Sequence, residues 1–309
     1  MHYGAGQGGP QPPLPAQGGE HCRMWIKDRF IWGRRTYLMG IINITPDSFS
    51  GDGLSSHSAA VAQAREFVSH GADILDIGGE STRPGAESVS AESEADRVVP
   101  VVAAVRDALP DATISVDTYR AEVAERALDA GADIVNDVWG LRADPDMASL
   151  AAERGVPVML MHNRSKPGHA AIDARLGGQY IGPNYDDLLA DVYGELAALA
   201  QNALDAGISR DRIILDPGLG FGKTVAQNMA LINHLDRFKG LEYPLLVGAS
   251  RKSFIGQVLD KPIGERLFGT AATVALSIVR GADIVRVHDV CEMAQVARMT
   301  DAMLRAPTT

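Results

Sequence analysis

Eight positions in this 309-residue chain carry groups able to do chemistry and share one placement, at or just after the end of a short apolar run. They are Asn43, Asp117, Asn136, His162, Asp216, Lys252, Arg286 and His288. The acids and amide Asp117, Asn136 and Asp216 suit a heterocycle rich in N–H donors, since carboxylates accept and amides both accept and donate. Three cations, Arg83, Lys252 and Arg286, together with His288, suit a polyanion such as pyrophosphate. Asn43, alone or with a loop carboxylate, could present oxygen ligands to Mg2+, which takes one or two protein ligands plus phosphate oxygens. A lone Asp at a strand end is as often a cap or turn residue as a functional one. Eight such residues together are hard to explain as caps.

Other chemistries are excluded by spacing. "DPGLGFGKT" from Asp216 ends like a phosphate loop, but a Walker A motif needs glycine where this chain has Pro217. No His/Cys arrangement has zinc spacing, and no Ser-His-Asp constellation is evident. "GGESTRPGAES" from Gly78 is a second polar loop, with Arg83 beside Pro84.

The elements that must position these residues recur along the chain. The apolar runs are "LMGIIN", "ADILDIGG", "TISVD", "ADIVND", "PVMLMH", "RIILD", "PLLVGAS" and "ADIVRVH". Most gaps between them hold an Ala/Glu/Arg-rich helical pattern such as "RAEVAERALDA". "GAD" appears at Gly71, Gly131 and Gly281, where glycine caps a helix and a strand follows at once. Eight β-then-α units predict an α/β fold, a (β/α)8 barrel of one domain over 23–309, whose catalytic face is the C-terminal ends of the strands. An open doubly wound sheet is disfavoured, because no glycine-rich fingerprint follows the first strand. "IKDRFIWGRRTYLMG" predicts a β-hairpin around Gly33 that closes the barrel bottom. The first strand opens into the polar run "NITPDSFSGDG", with no helix expected before about Ala59. The longest connection, 162–183, is expected to be an active-site loop.

Composition sets the broad class. With 46% apolar and 22% charged residues the chain is an ordinary globular protein. A net charge of −10 argues against a nucleic-acid surface. Two cysteines, Cys22 and Cys291, indicate no disulfide framework, and no apolar run reaches membrane-spanning length, so a cytoplasmic enzyme is expected. Half of the first twenty residues are Gly or Pro, so 1–22 is expected to be a disordered tail.

From about residue 24 to 305 the chain resembles the dihydropteroate synthase family. The resemblance is carried by "MGIINITPDSFSGDG", "GGESTRPG", "SVDT", "GADIVNDV", "LMH", "DPGLGFGKT", "VGASRKSF" and "RVHD", in that order. It implies condensation of p-aminobenzoate with 6-hydroxymethyl-7,8-dihydropterin pyrophosphate in folate biosynthesis. It further implies that Asp117, Asn136, Asp216 and Lys252 hold the pterin, with Lys252, Asp117, Asp216 and Arg286 central to catalysis. Arg83, Arg286 and His288 would bind pyrophosphate, and Asn43 would be the Mg2+ ligand. Thr82, Pro84, Phe221 and Ser253 would shape the p-aminobenzoate pocket under a mobile lid carrying Asp47, Ser48, Phe49 and Asp52. Sulfonamides, as p-aminobenzoate mimics, are implied inhibitors, and a homodimer through outer helices is implied, with "GTAATVALSIVRGA" as the candidate interface. One departure stands in the lid: Gly51-Asp52-Gly53 replaces the family's Asp-Gly-Gly, so lid closure or p-aminobenzoate contacts are expected to differ, and both a sulfonamide-sensitive and a sulfonamide-insensitive enzyme are compatible with the sequence. Two other readings share the barrel, a pterin-dependent methyltransferase and a non-catalytic pterin-binding paralogue. Neither requires both the pyrophosphate cations and the "TPDSFS" lid.

Overall fold

Each of the eight apolar runs becomes a parallel strand. The computed structural model describes residues 23–24, 29–44, 53–80, 89–165, 170–173, 177–180 and 184–306. Two antiparallel strands come first, β1 (Arg23–Met24) and β2 (Phe30–Ile31). The barrel strands β3 (Tyr37–Asn43), β4 (Ile74–Gly78), β5 (Thr113–Asp117), β6 (Ile134–Asp137) and β7 (Val158–Met161) follow. A small hairpin of β8 (Ala170–Asp173) and β9 (Gly177–Tyr180) interrupts the series. β10 (Ile213–Asp216), β11 (Leu246–Val247) and β12 (Ile284–Val287) complete it. The sheet order is β10-β7-β6-β5-β4-β3-β12-β11, and a parallel bridge between Leu215 and Leu245 joins its two ends into a barrel. Around it lie α1 (Gly53–His70), α2 (Ala91–Ala108), α3 (Ala121–Asp129), α4 (Met147–Arg154), α5 (Leu188–Asp205), α6 (Val225–Asn233), α7 (Ser253–Leu259), α8 (Leu267–Val279) and α9 (Val290–Leu304).

Period-two alternation along each strand separates two cores. Outward residues such as Leu38, Leu75, Ile114, Val135, Leu160, Leu215 and Val285 pack against the helices. Inward residues Tyr37, Met39, Ile74, Ile134, Met159, Ile214, Leu246 and Ile284 fill the barrel's lower half. Phe30 closes that layer from below, its ring stacked on Trp32 and tilted against Tyr37. The hairpin that closes the bottom is therefore β1–β2, while Gly33 (φ 79°) sits in the turn leading to β3.

The three GAD repeats share one device. Gly71, Gly131 and Gly281 all have φ near +100° (99°, 111° and 99°), which only glycine adopts at little cost. The Asp that follows each accepts a backbone N–H at 2.9 Å from a neighbouring strand segment: Asp73 from Leu38, Asp133 from Ile114 and Asp283 from Leu245. Each carboxylate also meets a cation, Arg35, Arg106 and Lys239 respectively. The repeat thus satisfies strand-entry donors that no ladder reaches.

One expectation about the helices is corrected here. α1 begins at Gly53, not near Ala59, because the Ser/His-rich start of that helix carries little apolar periodicity. The 162–183 connection contains the β8–β9 hairpin. The tail 1–22 lies outside the described residues, as do the lid positions Asp47, Ser48, Phe49, Gly51 and Asp52.

Candidate active site

The inward side chains change character at the upper ends of the strands. Asp76 and Asp117 from β4 and β5, Asn136 from β6, Asp216 from β10 and Arg286 from β12 replace the apolar fill below them. Arg286 is the hub: its Nε donates to Asp76 Oδ2 at 2.6 Å, and its Nη2 lies 2.6 Å from Asp76 Oδ2 and from Asp117 Oδ2. Asn136 Nδ2 donates to Asp76 Oδ2 at 3.3 Å. Burial alone would lower the pKa of Arg286, but the two carboxylates outweigh it and hold the guanidinium above its ordinary range.

The acids are shifted the other way. Burial pushes Asp117 up to about 7, against the attraction of Arg286, with Asp76, Glu94 and Asp137 adding repulsion. Burial pushes Asp216 up to about 6; the Gly218 N–H bond and the charges of Lys252, Lys223 and Arg286 work against it. Two carboxylates poised near neutrality at one end of a barrel mark a working site rather than surface caps.

The turn after β10 supplies the other wall. Gly218 has φ +70°, its N–H binds Asp216 Oδ1 at 2.7 Å, and a Cβ there would lie 1.9 Å from the carbonyl oxygen of His162. Only glycine passes that point. Phe221 packs with Val138 and Met161, alongside Tyr119 and Trp139, and Lys252 Nζ rests 4.3 Å from the centre of its ring. The Gly-Lys-Thr ending has a structural explanation. Thr224 caps α6 in a reciprocal capping box with Gln227, and Lys223 is buried.

The "SRKSF" segment divides by function. Arg251, in left-handed backbone (φ 58°), pairs with Asp289, while Lys252 turns toward Phe221. Ser253 opens α7. His288 follows β12, and its Nδ1 lies 3.1 Å from the Oγ of buried Ser250. Asn43 ends β3, partly exposed, where its register partner is Gly78 of β4.

Of the eight sequence-selected residues, His162 does not join the group. It is fully buried, with its ring between Lys223 and Glu195 of α5. Asp76 is missing from that set although it is central and fully buried. Attention to strand ends hides it. The period of two running back from Gly78 in "ILDIG" points to it as an inward acid. Arg120 is a second omission: it binds Glu80, Glu94, Tyr119 Oη and the Val89 carbonyl, spanning both flanks of 81–88. Thr82, Arg83 and Pro84 fall inside 81–88 and so lie outside the described residues. Among the described residues, no group of three or more His, Cys, Asp or Glu could hold a metal. A single neutral oxygen donor at Asn43 still fits Mg2+, which needs few protein ligands when phosphate supplies the rest.

An all-parallel barrel with charged groups gathered at the C-terminal ends of its strands is the framework of a barrel enzyme. Residues 39–288 match the family described as pterin binding enzyme. The chain is 51% identical over 271 residues to the dihydropteroate synthase of Bacillus subtilis, covering 87% of this chain and 89% of that one. A crystal structure of dihydropteroate synthase from Clostridium difficile with pteroic acid is 45% identical, with a TM-score of 0.81 over 89% of this chain and 99% of that one. The Yersinia pestis dihydropteroate synthase in a sulfonamide drug complex is 40% identical, with a TM-score of 0.81 over 90% of this chain and 98% of that one. The chain belongs to the dihydropteroate synthases, a family of pterin-binding enzymes.

Proposed function

We propose that this chain condenses p-aminobenzoate with 6-hydroxymethyl-7,8-dihydropterin pyrophosphate, yielding 7,8-dihydropteroate and pyrophosphate in folate biosynthesis. The observation that carries it is the mouth itself, where Asp76, Asp117, Asn136 and Asp216 stand beside Arg286 and Lys252. The acids and the amide match the N–H-rich edge of a pterin, and Lys252 covers the adjoining apolar wall at Phe221.

The chemistry asks little of a general base. An arylamine is neutral near pH 7, so its nitrogen can bond to the pterin methylene carbon without first losing a proton. The carbon–oxygen bond breaks, its electron pair leaves on pyrophosphate, and the new C–N bond releases one proton to solvent. Charge compensation on the departing pyrophosphate is the main demand. Arg83, Arg286 and His288 are assigned to it, and Asn43 is assigned as the protein ligand of Mg2+, which when bound supplies further positive charge to the phosphate oxygens. Phe221 and Ser253, with Thr82 and Pro84, are assigned to the p-aminobenzoate side, closed by the lid at Asp47, Ser48, Phe49 and Asp52. Keeping water out matters, since a pterin methylene cation would otherwise be captured as the alcohol.

Sulfonamides are assigned as p-aminobenzoate mimics at this pocket, supported by the drug complex of the Yersinia pestis relative. A homodimer is assigned to the face bearing Phe268, Leu276 and Val279 of α8, Val258 and Leu259 of α7, and Met299 and Met303 of α9. Phe268 there is 85% exposed, which is costly for a lone barrel. No helix of the described residues is long and apolar enough to cross a membrane. With two cysteines and no disulfide framework, a cytoplasmic setting fits.

The test is pyrophosphate release from purified protein with the pterin pyrophosphate and Mg2+, with and without p-aminobenzoate. Release that depends on p-aminobenzoate is expected. Release independent of it, or none with pterin binding intact, overturns the assignment.

A further inference from the structure

Lys223 has no task in the chemistry above, yet it is among the most buried charged side chains, at 1% exposure. Its Nζ reaches Gly218 O at 2.9 Å, Phe221 O at 3.1 Å and His162 Nδ1 at 3.0 Å. Three acceptors use three N–H bonds, and only the ammonium form carries three. Since Nδ1 accepts, the proton of His162 sits on Nε2, which lies 2.9 Å from Glu195 Oε2 but is not aligned as a hydrogen bond. Burial, then the charges of Lys223, Arg164 and Arg142, pulls His162 down to about 2, so the ring stays neutral and remains an acceptor.

A buried cation is costly unless its partners are organised around it. Here the partners are carbonyls of the turn that builds the site. Gly218, bound through its carbonyl, gives its N–H to the Asp216 carboxylate. Phe221, bound through its carbonyl, lies beneath Lys252. From the other side Asn228 pins the same turn, accepting from Gly220 N at 2.7 Å and donating to the carbonyl of Lys223 at 3.2 Å.

We propose that Lys223 is a positioning residue: its ammonium locks the 216–221 turn in the form that presents the Asp216 carboxylate and the Phe221 ring together at the barrel mouth. It acts through the turn. This rests on the proposed pterin role of Asp216. Among the described residues, Asp216 is faced by Lys252, Lys223 and Arg286, and Lys223 by Asp216, Glu195, Lys252, Arg164 and the neutral His162. Burial pulls Lys223 itself down to about 7, with Asp216 and Glu195 opposing. Removing the ammonium therefore loosens the turn and also strips one of three cations that keep Asp216 ionised.

The experiment is Lys223→Met in the full chain, read by 6-hydroxymethylpterin affinity across pH and by separate KM and kcat values for pyrophosphate release. At about pH 6.5, where most of Lys223 is still the ammonium and most of Asp216 is ionised, the pterin Kd is expected to rise about tenfold, as misplacing a binding group does. The acid limb of binding should move to higher pH, because Asp216 then holds its proton longer. KM for p-aminobenzoate should rise with it through Phe221. A variant with lower melting temperature but unchanged Kd and unchanged acid limb would show that Lys223 only fills space, overturning the proposal. Should Lys223→Met fail to fold, His162→Leu decides: it keeps the ammonium but removes one acceptor, and is expected to raise Kd about threefold. An unchanged Kd there overturns the proposal equally. Wild-type protein that binds pterin but releases no pyrophosphate would sink the proposed reaction alone, leaving the Kd comparison to decide Lys223.

Discussion

Arg286 and Asp76, separated by 210 positions in the chain, meet inside the barrel with Nε 2.6 Å from Oδ2. Asp76 is fully buried and shares the guanidinium with Asp117. Asp76→Ala should therefore leave a buried cation short of a partner and cost about 3 kcal/mol. Asp76→Asn keeps the shape and should fold, with kcat/KM reduced by about one to two orders of magnitude through a misaligned Arg286. Urea unfolding and steady-state kinetics check both. Wild-type stability in the alanine variant would contradict the hub role.

The two raised carboxylates set a pH dependence. Their pKa values lie above the ordinary carboxylate range, Asp117 at about 7 and Asp216 at about 6. Each therefore takes up a proton as pH falls through neutrality. Pterin N–H donors need the ionised form, so the carboxylates' share of the affinity should be complete at about pH 8 and fall as pH drops through about 7 and then 6. Asp117→Asn should weaken binding at alkaline pH and abolish the upper step. Fluorescence titration of pterin over about pH 5 to 8.5 measures it. A flat profile across that range would refute the assignment.

The GAD aspartates hold strands, not substrate. Asp133 accepts from Ile114 N and from Arg106 Nη2, and Asp283 does the same for Leu245 N and Lys239. Asp133→Ala should cost about 2–4 kcal/mol, since a buried N–H and an ion pair both lose a partner. Its kcat should stay within about twofold of wild type, because no mouth residue is touched. Chemical denaturation beside kinetics separates the two effects. A large fall in kcat with little change in stability would place Asp133 in the site instead.

The exposed face of α7, α8 and α9 predicts assembly. Phe268→Asp should turn a dimer into a monomer in sedimentation equilibrium, while leaving the barrel folded by circular dichroism. A wild-type protein that is monomeric at about 100 μM would remove the dimer from the proposal.

Much of the barrel was legible because its signals are local. Each quoted run of five to eight residues yields one barrel strand, glycine after a helix in the GAD repeats takes φ near +100°, and the following Asp caps the next strand. Asp117, Asn136 and Asp216 were visible because they end such runs. Asp76 was not, since it interrupts its strand, and an acid inside an apolar run gains meaning only from what faces it.

The sequence by itself determined the eight barrel strands, the helix–strand alternation and which residue types reach the mouth, all consequences of period-two and period-3.6 patterning and of capping. It also carried the order of family motifs. Only the tertiary structure decided the pairings. It put Arg286 between two acids, Lys252 on Phe221 and Arg251 on Asp289, and it drew His162 away from the mouth toward Lys223. The physical reason is that burial and charge compensation depend on which strands close next to which. Closing the sheet at Leu215 and Leu245 brings residues from opposite ends of the chain into one low-dielectric space, and no local pattern encodes that neighbourhood.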